Sequence, residues 1–286
     1  MTTTITTAGE HFIQAGAVRT HYWESGTGEP LLLIHGGGAG ADACGNWAPL
    51  FPTFATHFRT IAYDMVGFGQ SLLSADDDAS FDYSQGDRVA HLAAVLDALG
   101  LQQVSLIGNS MGGATALGLA MAQPTRVKKL VLMGSAGLNR ASSPQLQSIL
   151  NYREPSRDAM ASIVRALTHE SFVPPEGLVD YRYTLTCEPA VMDAYRRTMA
   201  WVREQGGLHY REDDIAAVTM PTLVVSGRED AVVPLLESVR FHQLIEHSRL
   251  YAIPRCGHWA MIEHPAEFAR ISCDFLSSED DRDEFR

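Results

Sequence analysis

Ser110 stands in Gly108-Asn109-Ser110-Met111-Gly112, a G-x-S-x-G pentad that directly follows the β-rich run 104–107 and directly precedes the Ala-, Leu- and Met-rich run 111–122. A serine on such a strand-to-helix turn is held in a strained backbone conformation, its hydroxyl exposed at a helix N-terminus that favours developing negative charge. Flanking glycines remove side chains that would collide with the adjoining strand and helix. A hydroxyl is a weak nucleophile at neutral pH and needs a base oriented by a third group. Gly227-Arg228-Glu229-Asp230 follows the run 222–226, and Cys256-Gly257-His258-Trp259 follows a run ending at Ile253. A carboxylate and an imidazole therefore succeed the serine in the order Ser, Asp, His. Asp230 is favoured over the adjoining Glu229 by the register of the motif. His258 is favoured over His264, which precedes Pro265 at the start of the last helical pattern and reads as a cap or surface residue. The other histidines, including His57, His91 and His242, read as solvated. The bland alternative for the pentad is a glycine-rich packing turn; its place between strand and helix argues for the chemistry.

Ile34-His35-Gly36-Gly37-Gly38 closes an apolar run with consecutive glycines. Backbone there can approach a substrate closely, so the Gly37 N–H and the N–H of Met111 are the expected pair of donors for an oxyanion. A phosphate cradle is the other use of such a loop, and it lacks the Lys and Ser/Thr of a P-loop.

The elements that must position these groups are legible as an alternation of short β-rich runs with longer helical patterns, the signature of a mostly parallel sheet. Runs 11–14 and 18–23 form an antiparallel pair around Ala15-Gly16, and further strands are expected at 30–34, 59–63, 104–107, 129–133, 222–226 and 249–253. Helical spacing covers 88–99, 111–122 and 267–276. From about Leu138 to Tyr210 the alternation stops, with helices such as 156–167 and 190–204 and no convincing strand. The expected architecture is the α/β-hydrolase fold: an eight-stranded, mostly parallel sheet flanked by helices, its core divided into 1–137 and 211–286 by a helical lid at 138–210. Serine and both partners then sit at the carboxyl edge of the sheet, where open α/β sheets place ligands.

Composition narrows the partners. The net charge of -12 and the absence of a Lys/Arg-rich run argue against nucleic acid. No apolar run is long enough to span a bilayer, and the Thr-rich N-terminus lacks a secretory pattern, so a cytoplasmic protein is expected. Cys44, Cys187, Cys256 and Cys273 show neither C-x-x-C nor metal-ligand spacing and read as buried free thiols. Asp76-Asp77-Asp78 and the acidic tail after Ser277 read as solvated surface.

Over nearly its whole length the chain resembles the meta-cleavage-product hydrolases, carbon–carbon bond hydrolases of bacterial aromatic degradation. The resemblance rests on His35-Gly36-Gly37-Gly38-Ala39-Gly40, Gly45-Asn46-Trp47, Gly108-Asn109-Ser110-Met111-Gly112-Gly113-Ala114-Thr115 and Cys256-Gly257-His258-Trp259-Ala260. It implies a small-molecule substrate, a 2-hydroxy-6-oxo-hexa-2,4-dienoate made by ring opening, split into 2-hydroxypenta-2,4-dienoate and a carboxylic acid. It implies Ser110 attacking the distal ketone, His258 relaying protons and Asp230 orienting it. No cofactor and no metal are implied, since the substrate's own ketone is the electron sink. Arg182 in Tyr181-Arg182-Tyr183 matches the lid arginine that holds the substrate carboxylate, although Arg153, Arg196 and Arg197 are equally available by composition. Gly36, Gly38, Asn46, Asn109 and Trp259 match groups around the dienoate end. The lid resembles those of carbazole and fused-ring pathway members, which implies an aryl substituent, and the family implies a homo-oligomer.

Rival readings are a carboxylesterase or thioesterase with the same triad, and a ligand-binding receptor on a hydrolase scaffold. Haloalkane dehalogenase and epoxide hydrolase chemistry needs a carboxylate where Ser110 stands. Ser110→Ala is expected to fold and bind substrate while turnover drops by several orders of magnitude; wild-type-like rates in a stopped-flow assay would remove Ser110 from the chemistry.

Overall fold

A computed structural model of the chain describes residues 9–78, 81–138 and 143–278. The Thr-rich start and most of the acidic tail lie outside these residues. Eight strands form one sheet: β1 Gly9–Ala15, β2 Val18–Ser25, β3 Pro30–Ile34, β4 Arg59–Tyr63, β5 Val104–Asn109, β6 Val127–Met133, β7 Thr222–Gly227 and β8 Ser248–Ile253, in the order β1-β2-β4-β3-β5-β6-β7-β8. The first two form an antiparallel hairpin that turns at Gly16 (φ +60°), and β2 runs antiparallel to β4. All later pairings are parallel.

Apolar runs make this sheet because both of its faces are covered. Leu31 to Ile34, Leu106, Ile107 and Leu130 to Met133 have no solvent exposure, and each such side chain contributes about 1.5–3 kcal/mol relative to an exposed one. The covering helices include α1 Ala43–Trp47, α2 Gln85–Ala98, α3 Met111–Ala122, α8 Leu235–Leu244 and α9 Pro265–Ser277. Helix α2 starts at a reciprocal cap: the Asp87 N–H donates to Ser84 Oγ at 3.0 Å, and the Ser84 N–H donates to the Asp87 carboxylate at 3.0 Å.

Between β6 and β7 the chain forms α4 Pro144–Leu150, α5 Arg157–Leu167, α6 Leu178–Thr186, α7 Pro189–Glu204 and the short helix Glu212–Ala216, with no strand among the described residues. The ends of this insertion meet, because the Gly137 N–H donates to Leu208 O and the Tyr210 N–H donates to Gly137 O. Ser156 caps α5 through the Ala159 N–H at 3.2 Å.

Several expectations need correction. His91 is buried, not solvated: Nδ1 accepts from the Val66 N–H at 3.2 Å, so Nε2 carries the proton and donates to Thr20 Oγ1 at 2.7 Å. Asp78 pairs with Arg197 at 2.9 Å and accepts from Tyr83 Oη, tying the 76–78 segment to α7. Among the cysteines only Cys44 and Cys256 are buried; Cys187 is exposed and Cys273 partly covered. His264 does occupy the N-cap position of α9, its carbonyl accepting from the Phe268 N–H, while its ring contacts Arg255 O at 3.0 Å in place of a side-chain cap.

Burial pushes the His91 pKa down to about 3. The unfolded chain takes up a proton near pH 6.5 that the folded chain refuses, so His91 erodes stability as pH falls from there toward about 3. Melting temperatures measured from pH 7 to 4 should fall more steeply for the wild type than for His91→Gln; parallel curves would count against this burial cost.

Candidate active site

Because β3 and β5 to β8 run parallel, the segments that leave their carboxyl ends lie along one edge. β5 leads into Ser110, whose φ of 54° and ψ of -117° lie outside the regions a side chain ordinarily allows. The turn is locked by the Ser110 N–H donating to Met133 O at 3.0 Å and by Ser110 O accepting from Ala114 and Ala136. It is also too tight for larger neighbours, since a Cβ at Gly112 would lie 2.3 Å from His35 O.

β7 leads into Asp230 and β8 into His258, both buried. The Asp230 Oδ1 accepts from the Val232 and Val233 N–H groups at 2.8 and 2.9 Å, which turns Oδ2 toward His258 Nδ1 at 2.7 Å. A carboxylate only accepts there, so Nδ1 carries the proton and Nε2 is the basic nitrogen. Glu229 faces elsewhere, accepting from Arg228 and from the Cys256 N–H. Ser110 and His258 line one cavity. The hydroxyl and the ring are not hydrogen-bonded to each other in this structure; such bonds commonly tighten only with substrate in place.

Gly37 lies against Met111, so closely that a Cβ on Gly37 would approach Met111 Cβ to 3.0 Å and its sulfur to 2.5 Å. The two N–H groups expected to receive an oxyanion thus belong to adjacent segments beside Ser110. His35 braces the loop: Nε2 accepts from the Met65 N–H at 2.9 Å, leaving Nδ1–H to donate to Gly36 O at 2.7 Å. Burial keeps this imidazole neutral by lowering its pKa.

Every site residue expected from sequence except Asp230 lines the cavity: Gly36, Gly37, Gly38, Asn46, Asn109, Ser110, Met111, Arg182, His258 and Trp259. Asp230 stands behind the imidazole. Asn46 Nδ2 donates to Asn109 Oδ1 at 3.3 Å, and Asn109 Nδ2 donates to Met133 O. Arg182 is 1% exposed, its guanidinium 4.8 Å from the Trp259 ring centroid; Nη2 donates to Ala39 O at 2.7 Å and Nε has no partner. Burial lowers its pKa to about 10, still a cation at neutral pH. Arg196 and Arg197 are engaged elsewhere, on Arg153 O and Glu154 and on Asp78 and Phe81 O. The remaining lining is aliphatic, including Leu146, Ile149, Leu150, Met199, Val202 and Val233.

A model of the alpha/beta hydrolase fold family matches residues 29–265. The 2-hydroxy-6-oxo-6-(2'-aminophenyl)hexa-2,4-dienoic acid hydrolase of Metapseudomonas resinovorans is 46% identical over 94% of this chain and 91% of its own. The meta-cleavage product hydrolase of Pseudomonas fluorescens IP01 superposes with a TM-score of 0.86 at 32% identity, covering 94% of this chain and 97% of that one. This chain belongs to the meta-cleavage product hydrolases of the α/β-hydrolase family. A serine hydrolase involved in carbazole degradation is also similar, at 44% identity and a TM-score of 0.86 over 95% of this chain and 99% of its own.

In this meta-cleavage product hydrolase two carboxylates beside the site residues carry no motif. Asp42 is a buried carboxylate that accepts from the Gly45 N–H at 2.7 Å and from Tyr181 Oη at 2.5 Å; only the helix-cap spacing of Asp42 and Gly45 hinted at it. Burial, and then the nearby Asp64, push its pKa up to about 7. Glu263 accepts from the Gly257 and Trp259 N–H groups on either side of His258, at 3.0 and 3.2 Å, and from the His169 N–H at 2.7 Å. Nothing in the sequence separates Glu263 from an ordinary helix carboxylate. Among the described residues no three His, Cys, Asp or Glu side chains form a group able to hold a metal ion, and no helix is long and apolar enough to cross a membrane.

If Asp230 fixes the His258 tautomer, Asp230→Asn should lower kcat by about 10,000-fold with the fold retained. Circular dichroism and steady-state rates check this, and a loss below tenfold would detach Asp230 from the base.

Proposed function

We propose that this protein hydrolyses the carbon–carbon bond of a 2-hydroxy-6-oxo-6-aryl-hexa-2,4-dienoate, giving 2-hydroxypenta-2,4-dienoate and an aromatic carboxylic acid. The observation that carries this reading is Arg182: a buried cation, unpaired by any carboxylate, in a cavity whose other described lining is mostly aliphatic. That arrangement suits an elongated apolar molecule with one carboxylate, which a guanidinium grips through two parallel hydrogen bonds. Asn46, Asn109 and Trp259 serve the dienoate end, with Gly36 and Gly38 as close backbone neighbours. The similarity to the 2-hydroxy-6-oxo-6-(2'-aminophenyl)hexa-2,4-dienoic acid hydrolase of Metapseudomonas resinovorans supports the same substrate class.

Ser110 attacks the distal ketone once the dienol has ketonised, and His258 Nε2 takes the hydroxyl proton as the Oγ–C bond forms. The N–H groups of Gly37 and Met111 meet the new oxyanion. Its collapse breaks the carbon–carbon bond, the electron pair passes into the substrate's own ketone, and His258 returns the proton. A water deprotonated by His258 then releases the acid from Ser110. Asp230 keeps Nδ1 protonated throughout and stabilises the imidazolium. The insertion 138–210 acts as the lid that excludes bulk water. A cytoplasmic location accords with the four free cysteines, and the family resemblance supports a homo-oligomer.

The purified protein should clear the yellow 6-phenyl ring-fission product far faster than a simple aryl ester. Arg182→Gln should cut kcat/KM for the dienoate about 100-fold, the scale of a lost charged hydrogen-bond pair, and the ester rate much less. Efficient cleavage of the ester alone, or equal losses on both substrates, would overturn the assignment.

A further inference from the structure

Helix α6 carries Tyr181 and Arg182 side by side, and both are anchored in one short stretch of the loop that follows β3. Arg182 Nη2 donates to Ala39 O at 2.7 Å, and Tyr181 Oη donates to Asp42 Oδ2 at 2.5 Å. The contact is close along its length: a Cβ at Gly40 would lie 2.2 Å from Arg182 O, and one at Gly45 would lie 2.9 Å from Tyr181 Cε1. The other Asp42 oxygen caps α1 through the Gly45 N–H at 2.7 Å. The next residue of α1, Asn46, reaches Asn109, which precedes Ser110. Hydrogen bonds and single peptide steps therefore run from Arg182 through Tyr181, Asp42, Asn46 and Asn109 to the serine turn.

Asp42 is a costly residue to keep for structure alone. Its side chain is buried, no cation is hydrogen-bonded to it, and burial with the nearby Asp64 disfavours its charge more than the Arg182 cation favours it. A neutral capping residue such as Ser, Thr or Asn would serve α1 at less cost. What the carboxyl adds is a strong acceptor for Tyr181.

We propose that the Asp42–Tyr181 hydrogen bond is a latch joining the lid to the core, and that Asp42 is a positioning residue setting the distance between Arg182 and Ser110. This rests on the reading of Arg182 as the carboxylate clamp. Once the latch is closed, the guanidinium lines the site at a fixed span from the nucleophile with its Nε unpartnered, so a carboxylate held there delivers the distal ketone to Ser110. Without it α6 is held at this point by Arg182 itself, and the clamp must move to grip.

Tyr181→Phe removes only the hydroxyl. It should raise KM for the 6-phenyl dienoate about tenfold, with kcat falling less and with a smaller loss on a neutral aryl ester. Asp42→Asn, which still offers an oxygen to Gly45 and a polar partner to Tyr181, should stay closer to the wild type than Asp42→Ala. Tyr181→Phe combined with Asp42→Ala should be no worse than Asp42→Ala alone. An unchanged KM in Tyr181→Phe, additive losses in the double variant, or equal losses on dienoate and ester would each overturn the latch. Arg182→Gln separates the two readings: if it raises KM for the dienoate and Tyr181→Phe does not, the latch alone falls; if neither raises it, the carboxylate clamp falls and the latch with it.

Discussion

A serine held at a φ of 54° is the constraint around which the site is arranged. Such a conformation costs on the order of 1–3 kcal/mol and persists only where its surroundings over-determine it. Here they do. β5 is buried along its whole length, Met133 O and the N–H groups of Ala114 and Ala136 occupy the Ser110 backbone, and the backbone of Ile34 and His35 packs against Gly112 with no room for a side chain. The strain is offset by the sheet and helix on either side, and the strained turn exposes the hydroxyl at the start of α3.

Around that turn, charge is handled differently at the base and at the expected carboxylate clamp. At the base, Asp230 and His258 satisfy each other, and two backbone N–H groups hold the second carboxylate oxygen. At the clamp, Arg182 is buried with a backbone carbonyl and an aromatic face for company and no carboxylate hydrogen-bonded to it. A buried cation left so incompletely paired is expensive for folding and useful for ligand recognition.

Much of this was legible in the sequence where the signal was local. The parallel strands β3 to β7 read as short apolar runs because both of their faces are covered, while the hairpin β1–β2 and the more exposed edge strand β8 are marked by β-rich composition and by the turn at Ala15-Gly16. α8 was missed: it begins after Pro234 with no side-chain cap, and its apolar pattern is weak. His91 has no sequence signal strong enough to overrule the solvation a titratable side chain ordinarily seeks, although Arg88, His91, Leu92 and Val95 share one buried face at helical spacing; Thr20 and the Val66 N–H replace the water. Asp42, Tyr181 and Glu263 were out of reach for another reason. Asp42 and Tyr181 are 139 positions apart, so no spacing rule connects them, and Glu263 bonds backbone N–H groups at Gly257 and Trp259 that no side-chain pattern marks. Arg182 was distinguished from the other lid arginines only through the family resemblance, and its burial is a tertiary property.

Glu263 grips the backbone on both sides of His258 and the N–H of His169, just past the C-terminal cap of α5, while the His258 N–H donates to Leu167 O. The mount of the imidazole and the root of the helical insertion are thereby a single mechanical part. Reshaping α5 to admit bulkier rings would tilt the proposed proton carrier as well as widen the chamber, whereas carving space from α4 or α7 leaves that joint alone. Breadth of substrate acceptance and alignment of the base are separable on one side of the roof and bound together on the other.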